Sequence, residues 1–248
     1  MASASLPSTP LTRRSLLFAG FGLIQHHLDV VVLAGIEFES WGAGRGPRSY
    51  LRIHGNEQTA KEALLAHLAT RPGPALLVRG SSRNVTVAGG RLDPNRMFTR
   101  EGADKSYWRL NPEWGPGEVA KALDWLDRER PRLLERLLPE KGGLLVSAHN
   151  NSEGYSVEDE VASSDRLHLP RRREPHEFFL ATSESDFKKL AQGPYNVVLQ
   201  SGQKGEEDGS LSRTCARLGV RYVNLEVGSG KLAMQIEMLG FLEKALPE

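Results

Sequence analysis

The chain has 248 residues, 39% of them hydrophobic and 25% charged, a globular balance that excludes a disordered or collagen-like chain. Its 32 Lys and Arg against 31 Asp and Glu leave a net charge of +1, too little to hold nucleic acid non-specifically. With one cysteine, Cys215, neither an internal disulfide nor a cysteine-rich zinc site is available, so any metal site must be built from His, Asp and Glu.

The amino terminus carries Thr12-Arg13-Arg14-Ser15-Leu16-Leu17, which leads into an uncharged stretch over residues 15–25 rich in Leu, Phe and Gly. This resembles a twin-arginine export signal, with Val32-Leu33-Ala34 as a small-residue cleavage site. On that reading residues 1–34 lie outside the mature fold, a catalytic domain over 35–248, and the protein is exported to the periplasm. On the other, an N-terminal helix leads into a strand at residues 30–33 of a cytoplasmic protein. No run of 18 apolar residues exists, so no stable membrane insertion is expected.

Beyond residue 35, short β-branched or Leu-rich runs alternate with amphipathic stretches. Residues 50–53 read as a strand and 59–70 as a helix with Ala63, Leu64 and Leu68 at helical spacing. Residues 75–78 read as a strand, and 119–138 as a helix broken or kinked at Pro131. Further strands are expected at 144–147, 178–181, 196–200 and 222–227, with helices at 210–218 and 231–245. Apolar strands alternating with helices predict a single α/β domain, a mixed and mostly parallel sheet with helices on both faces. Ligands in such sheets sit at the carboxyl ends of the strands.

Three of those ends carry chemistry. The strand at 50–53 runs into His54-Gly55-Asn56-Glu57, the strand at 144–147 into His149-Asn150-Asn151, and the last strand into Glu226. Two His and one Glu, with water in the fourth position, make a catalytic zinc set, here one zinc per chain on His54, Glu57 and His149. Zinc would lower the pKa of that water towards neutrality, and Glu226 would take its proton.

Taken in order, His54-Gly55-Asn56-Glu57, Leu92-Asp93-Pro94-Asn95-Arg96-Met97-Phe98, Val146-Ser147-Ala148-His149-Asn150-Asn151 and Tyr222-Val223-Asn224-Leu225-Glu226 resemble the zinc carboxypeptidase superfamily. They look closest to its branch of succinylglutamate desuccinylase and aspartoacylase-like proteins, over roughly residues 50–240. The resemblance implies a zinc carboxypeptidase-like fold, His54, Glu57 and His149 as zinc ligands, and Glu226 as general base. It also implies Asn95 and Arg96 as the grip on a substrate carboxylate, for which the planar guanidinium fork is suited. An arginine upstream of that pair would polarise the scissile carbonyl. Arg91 and Arg83 are the candidates, and Arg91 is preferred because it shares a loop with Asn95. Tyr155 would line the pocket or simply pack.

Other clusters read as structural. Asp165, His168, His176 and Glu177 surround Arg171-Arg172-Arg173, which reads as a solvated loop. Cys215 sits mid-helix with no histidine nearby in sequence. The expected reaction is hydrolysis of an amide bond next to a free carboxylate, the substrate being a small peptide. The runner-up is an N-acyl amino acid deacylase, favoured by the short interval between Glu57 and His149. The rival from another class is a non-catalytic binding protein of the same fold.

Overall fold

The computed structural model describes residues 29–42, 44–152 and 154–247, so the twin-arginine segment lies outside the described residues. The strands are β1 (Asp29–Leu33), β2 (Ile36–Trp41), β3 (Arg48–Arg52), β4 (Ala75–Val78), β5 (Val85–Val87), β6 (Gly90–Leu92), β7 (Leu144–Asn151), β8 (Arg166–His168), β9 (Phe178–Ala181), β10 (Asn196–Leu199) and β11 (Arg221–Gly228). The helices are α1 (Gln58–Thr70), α2 (Arg100–Leu110), α3 (Pro116–Leu137), α4 (Val157–Val161), α5 (Glu184–Leu190), α6 (Leu211–Leu218) and α7 (Leu232–Ala245).

Nine strands form one sheet in the order β1-β2-β4-β3-β7-β11-β9-β10-β8, and β5 and β6 form a separate hairpin. Strands β4, β3, β7 and β11 are parallel to one another at its centre, β9 and β10 run against them, and β1, β2 and β8 close the edges antiparallel to their neighbours. This is the mixed, mostly parallel sheet that the alternating pattern predicts. Side chains alternate across it with a period of two and so feed two cores. Leu145, Tyr222, Phe178 and Val198 pack on one face with Tyr107 of α2, Leu126 of α3 and Cys215 of α6. Val146, Val223, Phe179 and Val197 pack on the other with Leu64 of α1, Leu190 of α5 and Met238 of α7.

Three expectations are corrected. Helix α3 runs unbroken through Pro131, which is exposed, so solvent can reach the carbonyl that its missing N–H leaves free. Helix α2 was not expected, because it buries only Gly102, Ala103, Ser106 and Tyr107, three small residues and a single large one, a face that hydrophobic periodicity does not mark. Strand β7 extends past Ser147 to Asn151, because β11 pairs with it in register as far as Gly228. The boundary at residues 34 and 35 falls in the turn between β1 and β2, where Leu33 and Ala34 are buried.

At the amino end of β3, a buried ion pair fastens α7 to the sheet. The Arg48 guanidinium donates to the Glu243 carboxylate and to the Leu246 carbonyl, and the Tyr50 hydroxyl donates to Glu243 Oε1 at 3.0 Å. Burial alone would raise the Glu243 pKa. His67 and Arg48 more than offset it and bring it from 4.5 to about 2. A depressed carboxylate pKa contributes stability that is full above the unfolded value and vanishes as pH falls through the folded one. Wild type is therefore expected to exceed Glu243→Gln by about 3 kcal/mol near neutral pH, the gap closing between about pH 4.5 and pH 2 in urea titrations. A gap independent of pH over that window would refute the ion-pair account.

Candidate metal centre

The step between β3 and β7 makes the site. Strand β3 pairs with β7 only to the register Leu51↔Ser147, while β11 continues beside β7 through Glu226↔His149 to its end. One flank of His149 is thus uncovered by any strand, and the turn from His54 to Glu57 fills it. Gly55 permits the fit, since a Cβ there would lie 2.8 Å from the Ser82 carbonyl oxygen and 2.9 Å from that of Gly80. The buried Arg52 guanidinium donates to the Gly55 carbonyl at 3.0 Å and to the Val78 carbonyl, tying the turn to the ends of β3 and β4.

His54 Nδ1 lies 2.9 Å from Glu57 Oε1, and His149 Nδ1 lies 3.3 Å from the same oxygen. Among the described residues, these three are the one group of His, Cys, Asp or Glu arranged to hold a metal ion, with ligand atoms within 4.8 Å of one another. All three are buried, with Glu57 only 3% exposed.

The outer partners determine which imidazole nitrogen faces inward. His54 Nε2 lies 2.9 Å from Asp93 Oδ1, and an ionised carboxylate only accepts, so Nε2 carries the proton. Burial alone would raise the Asp93 pKa, but His54 and then Arg83 hold it well below the carboxylate range. The Ser147 hydroxyl donates to the Leu51 carbonyl at 3.4 Å, leaving its oxygen to accept from His149 Nε2 at 2.9 Å. Both histidines therefore turn Nδ1 towards Glu57. Two imidazole lone pairs and a carboxylate facing one another are all acceptors, an arrangement that requires shared protons or a cation. Glu57 Oε2, also buried, lies 3.2 Å from His149 Nδ1, so both carboxylate oxygens face the imidazoles and are placed to serve an ion. Without one, protons serve instead. Burial would lower the His54 pKa, yet Glu57 and Asp93 raise it above 6.5, while His149 and His54 bring Glu57 down to about 2 against its own burial. The donor set thus fits a divalent ion such as zinc.

Glu226 faces the same cavity, which measures about 740 Å³ and is also lined by Asn95, Arg96 and Tyr155. Burial raises the Glu226 pKa, with His149 opposing. Asn95 Oδ1 accepts from the Leu211 N–H at 3.0 Å, so only its amide N–H groups are left for a ligand. Arg96 keeps its guanidinium mostly uncommitted, with Asn95 O at 2.7 Å and Asp208 at 3.7 Å. The Tyr155 hydroxyl donates to Glu160 Oε1 at 2.7 Å.

No family model matches the chain, and no curated protein matches it. Among solved structures, a candidate metallopeptidase from Shewanella amazonensis is 16% identical, with 89% of this chain and 88% of that one covered and a TM-score of 0.40. An aspartoacylase family protein from Mesorhizobium loti is 16% identical over 85% of this chain and 61% of that one, with a TM-score of 0.39. Succinylglutamate desuccinylase from Vibrio parahaemolyticus is 13% identical over 88% and 74%, with a TM-score of 0.41. Likeness at this level leaves the chemistry to this chain's own side chains.

One expected site residue is corrected. Arg91 lies in β6 opposite Thr86 on the outer face of the hairpin, exposed, while Gly90 and Leu92 on either side of it point inward. Arg83 lines the cavity instead, 3.4 Å from Asp93 and 3.8 Å from Glu57. The loop of Asp165, His168, His176 and Glu177 is occupied structurally: Asp165 accepts from Ser201 at 2.7 Å, and Glu177 pairs with Lys231 at 2.7 Å. Sequence reasoning gave no role to Asp93, Ser147, Asn151 or Asn224. All four stand inside the quoted motifs, each within two residues of an assigned position.

Proposed function

We propose that this protein is a zinc-dependent hydrolase that cleaves an amide bond next to a free carboxylate, in the manner of a carboxypeptidase. The observation that carries the reading is the convergence of His54 Nδ1, His149 Nδ1 and the Glu57 carboxylate in one buried group, with Glu226 in register beside His149. Zinc held by His54, Glu57 and His149 would supply Lewis-acid chemistry, lowering the pKa of water and polarising a carbonyl.

The rest of the reaction belongs to the chain. Glu226 takes a proton from the attacking water on its carboxylate and returns it to the departing nitrogen, so amide and water become carboxylate and amine. Its raised pKa suits both halves of that transfer. The amide N–H groups of Asn95 and the fork of Arg96 hold the substrate carboxylate. Arg83 takes the role of stabilising the oxyanion. The lining also carries Asp159, Glu160, Glu206 and Asp208, which favour a peptide bearing an amine over a dianionic N-acyl amino acid.

The test is to load the protein with zinc and measure amine release from a panel of dipeptides and N-acyl amino acids. About one zinc per chain and faster release from dipeptides are expected. Faster release from N-acyl amino acids would transfer the assignment to a deacylase. Bound zinc with no hydrolysis of any panel member would leave a binding protein.

A further inference from the structure

Glu226 is held in the cavity by two side-chain amides, one on each of its carboxylate oxygens. Asn224 Nδ2 donates to Glu226 Oε1 at 3.0 Å, and Asn151 Nδ2 donates to Glu226 Oε2 at 3.3 Å. The two amides come from neighbouring strands. Asn151 stands two residues after His149 on β7, and Asn224 two before Glu226 on β11, so the period of two puts all four side chains on one face.

The orientation of each amide follows from its partners. Asn151 Nδ2 also donates to the His176 carbonyl at 2.8 Å, so two acceptors fix which end of that amide faces the carboxylate. Neither amide oxygen has a hydrogen-bond partner, although Asn151 is 5% and Asn224 7% exposed. A buried amide with an orphaned oxygen destabilises a fold, and at a strand position Thr or Val would pack better. Only the N–H halves of these side chains are used, and both point at the same group. Such donors are neutral. A Lys or Arg in their place would form an ion pair that holds the carboxylate permanently charged, whereas an amide orients it and leaves it free to gain a proton.

We propose that Asn151 and Asn224 are positioning residues that lock the Glu226 carboxylate in one rotamer by donating to a different oxygen each. The proposal rests on the reading of Glu226 as the proton carrier. Its consequence for catalysis is geometric, since a proton acceptor must be held within hydrogen-bond reach of its water.

Thr and Val have the same shape and differ by one donor, so they make the decisive pair. In the zinc-loaded protein assayed on the dipeptide panel, Asn224→Val is expected to lower kcat about tenfold or more while KM stays within about twofold. Asn224→Thr is expected to recover most of that loss, and Asn151→Val to behave as Asn224→Val does. Crystal structures without substrate give a second readout: the Glu226 carboxylate shifts or splits between rotamers in the Val variants and stays single in wild type and Asn224→Thr. Melting temperatures no lower than wild type show that the Val variants fold. Wild-type kcat in Asn224→Val, or an unmoved Glu226 in the Asn151→Val/Asn224→Val double variant, would overturn the proposal. Full activity in Glu226→Gln would instead sink the proton-carrier reading, and the rotamer comparison would still decide the clamp.

Discussion

Replacing Glu226 by Gln is expected to lower kcat by about 10²- to 10⁴-fold, the range that a positioned acid or base contributes, while leaving zinc bound. The amide has nearly the same shape and can still be held within the strand register, but it cannot take a proton from water. Glu226 is not one of the three side chains that converge as ligands, so metal content should match wild type. The raised pKa gives a direction as well: because burial holds the carboxyl above 4.5, the acid limb of the kcat/KM profile lies above the pH at which an exposed glutamate would place it. Metal analysis and kinetics on the same preparation check both halves. Zinc lost together with activity in Glu226→Gln would mean that this side chain serves as a ligand.

Removal of Glu57 is expected to have the largest effect on metal. It lies within 3.3 Å of both facing imidazole nitrogens, and Glu57→Ala leaves two imidazoles without the carboxylate between them. Zinc affinity, measured against a competing chelator, should fall by more than about 100-fold, beyond the 10- to 100-fold typical when an outer partner is removed. Asp93→Asn supplies that comparison. It keeps the shape but weakens the acceptor that holds the proton on His54 Nε2, and is expected to fall within about 10- to 100-fold. In wild type, affinity should fall as pH is lowered, because the inward nitrogen of His54, whose pKa is raised, takes up the proton that metal would displace. Unchanged affinity in Glu57→Ala would remove the centre from the proposed chemistry.

Most strands and helices were legible locally. Strands at 75–78 and 178–181 appear with the expected limits, and helices α1, α6 and α7 begin within a residue of expectation. Hydrophobic runs and cap residues are properties of a short window, and a window is what a sequence displays. Helix α2 escaped because its buried face offers one large side chain, Tyr107, among Gly102, Ala103 and Ser106.

The types and order of the metal-ligating residues were equally legible, since chemistry restricts ligands to a few side chains and the motifs keep their sequence along the chain. Which groups surround them was decided by tertiary structure. Strand length is fixed by the neighbour that supplies hydrogen bonds, so only pairing with β11 carries β7 to His149 and Asn151 and brings Glu226 alongside. Sequence proximity to Asn95 favours Arg91 over Arg83, but the pleat of the β5–β6 hairpin turns Arg91 outward. The pairings of Asp93 with His54 and of Asn151 with Glu226 join positions far apart in the chain, and only Asn224 sits beside Glu226 on the same strand. Their energies depend on burial and distance, which exist only once the sheet has formed.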